Sequence, residues 1–287
     1  MLCIGALPFL NNARVYASEE SRVESGETRD ESGETRVENK WLDDYHAHVG
    51  LTYSAQAVVQ TTYLWRGLYI GAMNMQLDAS VGYGGLYFDT WWNIGTDDWS
   101  FKTFQPEVDL TLGFSRWGFN LSATYIHNFN RAFFDVTNHP DGGNVLELWL
   151  RYTVSSKLPL SIYWGTRLIG SDGYVNAAGD TVRAYSSYLE LSYTHHFPYD
   201  IRLYGAVGIT PWKSLYTGYQ RGFAVNNIEV RLRKDWSLHE RCGLFLQGAF
   251  AINPSALAAD RSTAEWHPTS PHRQSVNANI GLGFYLK

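Results

Sequence analysis

Apolar and polar residues alternate along most of the chain from about residue 47 onward. In the stretch 73–95, every second residue is apolar from Met73 to Tyr83, and the alternation resumes at Leu86 after the pair Gly84-Gly85. A period of two on both sides of a Gly-Gly turn predicts a β-hairpin. Similar segments predict twelve strands, at 53–65, 73–83, 86–94, 106–115, 117–128, 145–155, 160–170, 184–196, 201–210, 223–236, 243–253 and 275–286.

The connections between these strands alternate in length. Those after the even-numbered strands are short, as in FPYD at 197–200. Those after the third, fifth, seventh, ninth and eleventh strands are longer and polar, as at 129–143 and 254–274. This alternation places the long loops at one end and both chain termini at the other. Short periplasmic turns and long external loops are the layout of a bacterial outer-membrane barrel.

The position of the aromatic residues favours the same fold. Large aromatic side chains lie toward strand ends on the apolar face, as in the belts at membrane interfaces. They are Trp92, Trp117, Tyr152, Trp164, Tyr193, Trp236 and Phe284. The sequence therefore predicts an all-β protein, a transmembrane antiparallel up-and-down β-barrel of about twelve strands. A soluble β-sandwich or lectin-like fold is the alternative, because alternation alone would suit it too.

The amino-acid composition further limits the classes of protein that fit the sequence. The 287 residues include 11 Trp, 19 Tyr and 14 Phe, whereas only 18% are charged. No run approaches 18 consecutive apolar residues, which excludes a membrane-spanning helix. The net charge of −5 argues against a nucleic-acid partner, since phosphate contacts require a basic surface.

The first 46 residues differ from the rest. Residues 1–17 contain a short apolar run and end in Val15-Tyr16-Ala17, which predicts an export signal cleaved before Ser18. Residues 18–46 are charged, repeat ESGETR and lack the apolar surface for a core, so we expect a disordered periplasmic extension. The barrel is then expected over 47–287. Cleavage would separate Cys3 from Cys242 and leave no intrachain disulfide.

If the apolar faces point to lipid, the opposite faces line the interior. The acidic candidates for pore-lining positions are Asp78, Asp89, Glu107, Asp109, Glu147, Glu190 and Glu229. The basic candidates are Arg66, Arg151, Arg167, Arg202, Arg231 and Arg233. Acids dominate the second to fourth strands and arginines the seventh, ninth and tenth, so opposed walls could set a transverse field and an ion preference. The alternative is that these charges pair and fill the interior.

Catalytic chemistry is weakly indicated. His127 near the outer end of the fifth strand is the nearest base, but Ser122 lies too far along the strand to partner it. His195 and His196 point to opposite faces and cannot easily chelate one metal, and His267 and His272 fall in the last loop. We therefore assign no catalytic, cofactor-binding or metal-binding residues and do not expect an enzyme.

The loop at 211–222 offers a different kind of site. Trp212, Tyr216 and Tyr219 could stack on sugars as external-loop binding residues. They could equally lie in the headgroup belt or pack over the barrel mouth.

Short motifs resemble a known family. The sequence YLWRG at Tyr63–Gly67 and GLYFDTW at Gly85–Trp91 resembles TorF-type porins of Gram-negative bacteria. Stretches at 109–115, 184–192 and 222–230 are similar to related outer-membrane barrels of the Bacteroidetes. The resemblance spans about residues 50–287 and implies an exported barrel with solute passage, without naming a substrate. Leu286 and Lys287 depart from the terminal aromatic that is usual in such barrels.

The expected function is therefore that of a porin-like outer-membrane channel for passive passage of small solutes. The alternative is a plugged barrel that binds ligands or adheres through its external loops, and an outer-membrane enzyme is a third class. Expected partners are outer-membrane lipid, the outer-membrane assembly machinery and small solutes, with no nucleic acid. A monomer is expected, because no apolar strand face is adapted to a partner.

Overall fold

The computed structural model describes residues 50–96, 99, 104–129, 131–139, 142–220, 222–257 and 275–287. Twelve antiparallel strands form one closed barrel, in which the first strand, Leu51–Gln60, pairs with the last, Val276–Leu286, to complete the ring. The barrel strands are β1 (Leu51–Gln60), β4 (Asn74–Tyr83), β5 (Leu86–Thr96), β6 (Phe104–Arg116), β7 (Phe119–Asn128), β8 (Val145–Thr153), β9 (Leu160–Gly170), β12 (Ser187–Phe197), β13 (Ile201–Thr210), β14 (Ala224–His239), β15 (Cys242–Ile252) and β16 (Val276–Leu286). The predicted strand number and fold class are confirmed.

Two short hairpins stand apart from the wall. They are β2 (Tyr63–Trp65) with β3 (Leu68–Gly71), and β10 (Gly173–Val175) with β11 (Thr181–Arg183). Helical structure in the described residues is limited to a 3₁₀ turn at Leu215–Thr217 and one α-helical turn at Pro254–Leu257. Among the helices of these ranges, none is long and apolar enough to cross a membrane.

The turns at one end of the barrel are tight because their residues suit the required backbone. Gly84 and Gly85 both have positive φ, as a two-residue type I′ turn requires, and they connect β4 to β5. Trp117 and Gly118 do the same between β6 and β7. The strand ends that the long connections join lie at the other end of the barrel, so the predicted sorting into a short-turn end and a long-loop end is present.

The outer face is apolar. On β16, for example, the side chains that point outward alternate with buried asparagines and glycines, and Leu282 at mid-strand is 58% exposed. The seven predicted belt residues are all at least 36% exposed on this face. Most lie near the short-turn end, whereas Trp92 pairs with Leu77 and Val108 closer to the long loops. A barrel that is apolar outside and polar inside is the arrangement of outer-membrane barrels.

The first predicted strand was too long. The strand wall ends at Gln60, and the residues predicted to continue it, 61–65, leave the wall and begin the β2–β3 hairpin inside the barrel. The physical reason is that residues 63–65 and 68–70 are apolar at consecutive positions, which requires apolar contacts on both faces. The predicted signal segment, the charged extension and the loop histidines His267 and His272 lie outside the described residues.

Candidate functional site in the lumen

The β2–β3 hairpin enters the lumen from the long-loop end and fills it with apolar side chains. It connects β1 to β4 and turns at Arg66-Gly67, where both residues have positive φ as in a type I′ turn. Tyr63, Trp65 and Leu68 are at most 2% exposed. We call residues 63–71 the inner hairpin.

Its base is hydrogen-bonded to the wall on both sides. The Thr61 amide donates to the Ile280 carbonyl at 2.9 Å, and the Ala72 amide donates to the Thr96 carbonyl at 2.8 Å. The Gln60 side chain donates to the Asn74 side chain at 3.1 Å and accepts from Asn279 at 3.0 Å. These bonds fix the two points at which the chain leaves the wall.

The tip of the inner hairpin is hydrogen-bonded to the start of β14 and to the residue after β15, which lie near β1 in the ring. Asn226 at the start of β14 donates its side-chain amide to the Arg66 carbonyl at 3.1 Å. Asn253 does the same for the Gly67 carbonyl at 3.3 Å. The Arg66 side chain extends from this tip to β8 and β9, and β9 lies opposite β1 in the ring, so the hairpin and this side chain together span the lumen.

The Arg66 side chain is the centre of the buried contacts. Its guanidinium donates a 2.6 Å hydrogen bond to Oε1 of Glu147 on β8, and neither side chain is more than 2% exposed. It also donates to the hydroxyls of Tyr163 on β9 and Tyr216 in the loop after β13. A buried charge needs a paired partner and satisfied donors, and Arg66 has both.

Aromatic rings enclose the same guanidinium. The Arg66 Cζ atom lies 4.3 Å from the ring centroid of Trp65 and 5.0 Å from that of Tyr188. The rings of Tyr163, Tyr216 and Trp149 follow at 5.2, 5.7 and 5.9 Å. Aromatic faces attract cations within about 6 Å of the ring centroid. We call the five residues that remain when the hairpin is set aside, Glu147, Trp149, Tyr163, Tyr188 and Tyr216, the wall cage.

The external-loop prediction is wrong for Tyr216. The 3₁₀ turn at 215–217 folds into the barrel, and Tyr216 is 1% exposed in the same apolar cluster as the inner hairpin. Ser214 forms the inward bend through a 2.7 Å hydrogen bond with Thr210. Tyr216 packs into the barrel mouth, which is the alternative considered above for these loop residues.

The other two loop aromatics are nearer the surface. Trp212 is 40% exposed, and its indole donates to the Tyr185 carbonyl at 3.0 Å. Tyr219 stacks on Tyr174 at 5.6 Å and donates to Asp172 at 3.3 Å. A ligand-binding role for Trp212 and Tyr219 stays a prediction.

Asp172 connects the loops over the mouth. Its carboxylate accepts hydrogen bonds from the Ser186 amide at 2.6 Å, from the Ser186 hydroxyl at 2.5 Å and from Tyr219. Burial raises the pKa of Asp172, although nearby Arg167 and the Ser186 hydrogen bonds act in the opposite direction.

Carboxylates cluster on one side of the inner wall. Asp78 on β4, Asp89 on β5, and Glu107 and Asp109 on β6 are all buried, and Glu107 accepts a 3.2 Å hydrogen bond from Tyr63 of the inner hairpin. In the ring order β5 lies opposite β13, so the acidic side faces the side that carries Arg202, Arg231 and Arg233.

Four of the six predicted pore-lining arginines form ion pairs with carboxylates. Arg202 and Arg233 both bind Asp235 at 2.8 Å, and Arg231 pairs with Glu229 on its own strand. With the Arg66–Glu147 pair, this is the arrangement that the paired-charge alternative predicts. Arg151 lies 5.4 Å from the ring of Tyr163, Arg167 donates to the Ser171 carbonyl at 3.1 Å, and Glu190 accepts from Tyr188 at 2.6 Å.

Catalytic and metal chemistry gain no support from the geometry. His127 pairs through Nδ1 with the Asn144 side chain at 2.9 Å. Ser122 is five positions away on the same strand, which is roughly 17 Å at the strand rise of about 3.4 Å per residue. In the ranges that the structure describes, no three His, Cys, Asp or Glu residues are placed to hold a metal ion.

Comparison with known proteins gives a distant likeness to outer-membrane channels. No family model and no curated protein matches the chain. Among solved structures, the NanC porin shares 11% identity over 82% of this chain and 99% of its own, with a TM-score of 0.47. An outer-membrane channel from Pseudomonas putida F1 shares 13% over 85% of this chain and 97% of its own, at 0.45. The KdgM porin shares 8% over 82% and 98%, at 0.43. The strand pairing of the chain itself defines the fold, and the TorF-type resemblance stays a prediction.

Several residues of the site were missed in the sequence. They are Trp149, Tyr163, Tyr188 and Asp235, to which the sequence assigns no predicted role. A usable signal existed for the wall aromatics, because Trp149 and Tyr163 occupy positions that alternation assigns to the polar face. Large aromatic residues inside a barrel indicate that something apolar packs against them.

Proposed function

We propose that this protein is an outer-membrane channel for passive passage of small solutes, held closed in this conformation by the inner hairpin. The observation that carries the proposal is the apolar hairpin buried across a lumen whose wall is lined with charged and polar side chains. Such a wall suits an aqueous path, and outer-membrane barrels with water-filled channels have polar interiors. The long-loop end is then external and the short-turn end periplasmic.

The contacts of the hairpin suit a movable part better than a permanent filling. Its base is tied to the wall by a few hydrogen bonds. Its tip is held by the ion pair of Arg66, the hydrogen bonds of the same side chain to Tyr163 and Tyr216, and two asparagine side chains. All of these can break without disturbing the strand ladders of the barrel, since β2 and β3 pair only with each other in the sheet topology.

Planar-bilayer recordings test the proposal. The wild-type protein, refolded in detergent, is expected to insert and show rare openings, because the hairpin blocks the lumen. Arg66→Ala removes the ion pair with Glu147 and the cation–π contacts. Removing one partner of a buried pair costs about 3–5 kcal/mol, so the variant is expected to open far more often.

Arg202→Ala is the matched control. Arg202 also forms an ion pair in the lumen, with Asp235 at 2.8 Å, but it contacts no residue of the inner hairpin in that pair. Its openings should stay as rare as those of the wild type. An Arg66→Ala barrel that is folded and inserted yet electrically silent would contradict a channel.

A plugged barrel with a surface role is the second candidate function. The same filled lumen favours it, and the partly exposed Trp212 over the mouth is the residue to test. A ligand-binding barrel would lose its ligand on Trp212→Ala and stay silent with or without Arg66.

A further inference from the structure

We infer that the wall cage is a binding site for a guanidinium or alkylammonium group of the solute, and that Arg66 occupies it in place of that solute. The inference rests on the proposed channel function and names its substrate class. Because Arg66 belongs to the same chain, the protein occupies its own binding site in the closed state.

The donors and acceptors around Arg66 match an organic cation. A guanidinium presents five N–H donors and no acceptor. The wall cage offers the Glu147 carboxylate at 2.6 Å and the hydroxyls of Tyr163 and Tyr216 to those donors. The faces of Tyr188 and Trp149 approach at 5.0 and 5.9 Å. Aromatic cages of this kind bind methylated ammonium groups as well as guanidinium.

The charges left behind by the hairpin also favour a cation. Glu147 is fully buried, and its second oxygen, Oε2, has no hydrogen-bond partner. When Arg66 leaves, this carboxylate loses its counter-ion in a site of low dielectric, which is strongly unfavourable until another cation enters. An anion would meet the same carboxylate and be repelled.

The rest of the lumen adds to this preference. Without Arg66, five of the predicted pore-lining arginines remain, and Arg202, Arg231 and Arg233 among them form ion pairs with Glu229 or Asp235. The acidic side of β4–β6 keeps the carboxylates of Asp78, Asp89 and Asp109. A lumen with this excess of acid concentrates cations near the cage.

Competition with Arg66 sets the concentration that a solute needs. A tethered group acts at an effective concentration on the order of millimolar or more. A small guanidinium compound therefore has to exceed that concentration to displace the hairpin in the wild-type protein, and the vacated cage is easier to observe in a variant without Arg66.

The test measures binding of methylguanidinium chloride to Arg66→Ala in detergent by isothermal titration calorimetry. Saturable binding is expected, and it should weaken about tenfold or more in Arg66→Ala/Glu147→Gln, since one decade corresponds to about 1.4 kcal/mol. Arg202→Ala, which keeps Arg66 in the cage, is the matched control and should bind at least tenfold more weakly than Arg66→Ala. If Arg66→Ala does not fold, Arg66→Gln replaces it, because glutamine keeps a polar chain but lacks the charge.

Tetramethylammonium chloride and sodium chloride are titrated into the same variants at equal ionic strength as comparison cations. Tetramethylammonium should bind the vacated cage, and sodium should not. No saturable binding of methylguanidinium, or equal binding with and without the Glu147 carboxylate, would overturn the inference. Because binding is measured without current, this result is separate from the channel test: a silent barrel that binds methylguanidinium refutes the channel and keeps the cation site.

Discussion

Gly165 offers the sharpest test of how the inner hairpin is held. It lies on the inner face of β9, opposite Trp149 of β8 in the strand register. A Cβ atom added there would lie 2.5 Å from Oε1 of Glu147, 2.5 Å from the Tyr163 hydroxyl and 2.7 Å from Nη2 of Arg66. Non-bonded heavy atoms prefer about 3.5–4.0 Å. The substitution Gly165→Ala therefore pushes the ion pair apart while adding a single methyl group.

The size of the effect depends on how strongly Gly165→Ala destabilises the docked state of the inner hairpin. Overpacking a filled interior costs about 1–3 kcal/mol. The cost falls on the docked hairpin, because Glu147 and Tyr163 can retreat into the lumen once Arg66 has left. The ratio of docked to undocked hairpin should then fall roughly 5- to 150-fold, since about 1.4 kcal/mol is one decade.

Two assays measure that ratio. Open probability in planar bilayers should rise by the stated factor, and trypsin should cleave after Arg66 faster in detergent, because the undocked tip is accessible. Gly205→Ala is the control, since a Cβ there meets nothing nearer than 4.0 Å. A Gly165→Ala barrel that opens and is cleaved like Gly205→Ala would refute the argument that the ion pair holds the hairpin.

Three further predictions concern the tip, the loops and the outer face. Gly67→Ala should release the tip of the inner hairpin, because φ of Gly67 is +78° and the new Cβ would overlap the Asn226 carbonyl. Faster trypsin cleavage after Arg66 would measure this release. An unchanged cleavage rate would show that the turn tolerates a side chain. Asp172→Asn should flatten the pH dependence of loop packing. Burial raises the pKa of Asp172 in the folded protein above its value of about 3.9 in the unfolded chain. The wild-type carboxyl group therefore stabilises the loops fully at a pH below about 3.9, and this stabilisation is lost as the pH rises through the folded-state pKa. Hydrogen exchange over residues 171–186, corrected for intrinsic rates, follows it from pH 3 to 8, and a wild-type profile as flat as that of the variant would contradict it. Leu282→Arg on the outer face should lower the free energy of unfolding in lipid vesicles by about 2–4 kcal/mol, whereas Val175→Arg in an external loop should change it by less than about 0.5 kcal/mol. Equal effects of the two arginines, measured by urea titration, would mean that the apolar face does not contact lipid.

The strand wall could be predicted from the sequence because its information is local. Alternation of period two, glycine pairs at turns and the order of short and long connections each depend on neighbouring residues. Arginine and acid positions followed from the same parity, which is why Asp78, Glu147 and Arg231 were assigned to the interior and are buried there.

The inner hairpin could not be predicted from alternation. Residues 63–65 and 68–70 are apolar without a polar alternate, the pattern of a strand that is buried on both faces, and the dipeptide Arg66-Gly67 between them is a turn signal. Joining 63–65 to the first strand hid this pattern. The partners of Arg66 and the inward fold of Tyr216 depend on contacts far apart in the chain, which no local pattern contains.

Those long separations bear on the order of assembly. The groups that hold Arg66 lie 81, 97 and 150 residues further along the chain. Contacts between distant residues form late, because the entropy of closing the intervening loops opposes them until the wall is in place. The inner hairpin can therefore dock only after the later strands have joined the ring. Until then its apolar side chains stay available to chaperones and proteases, and burial of this one segment marks a barrel whose assembly is finished.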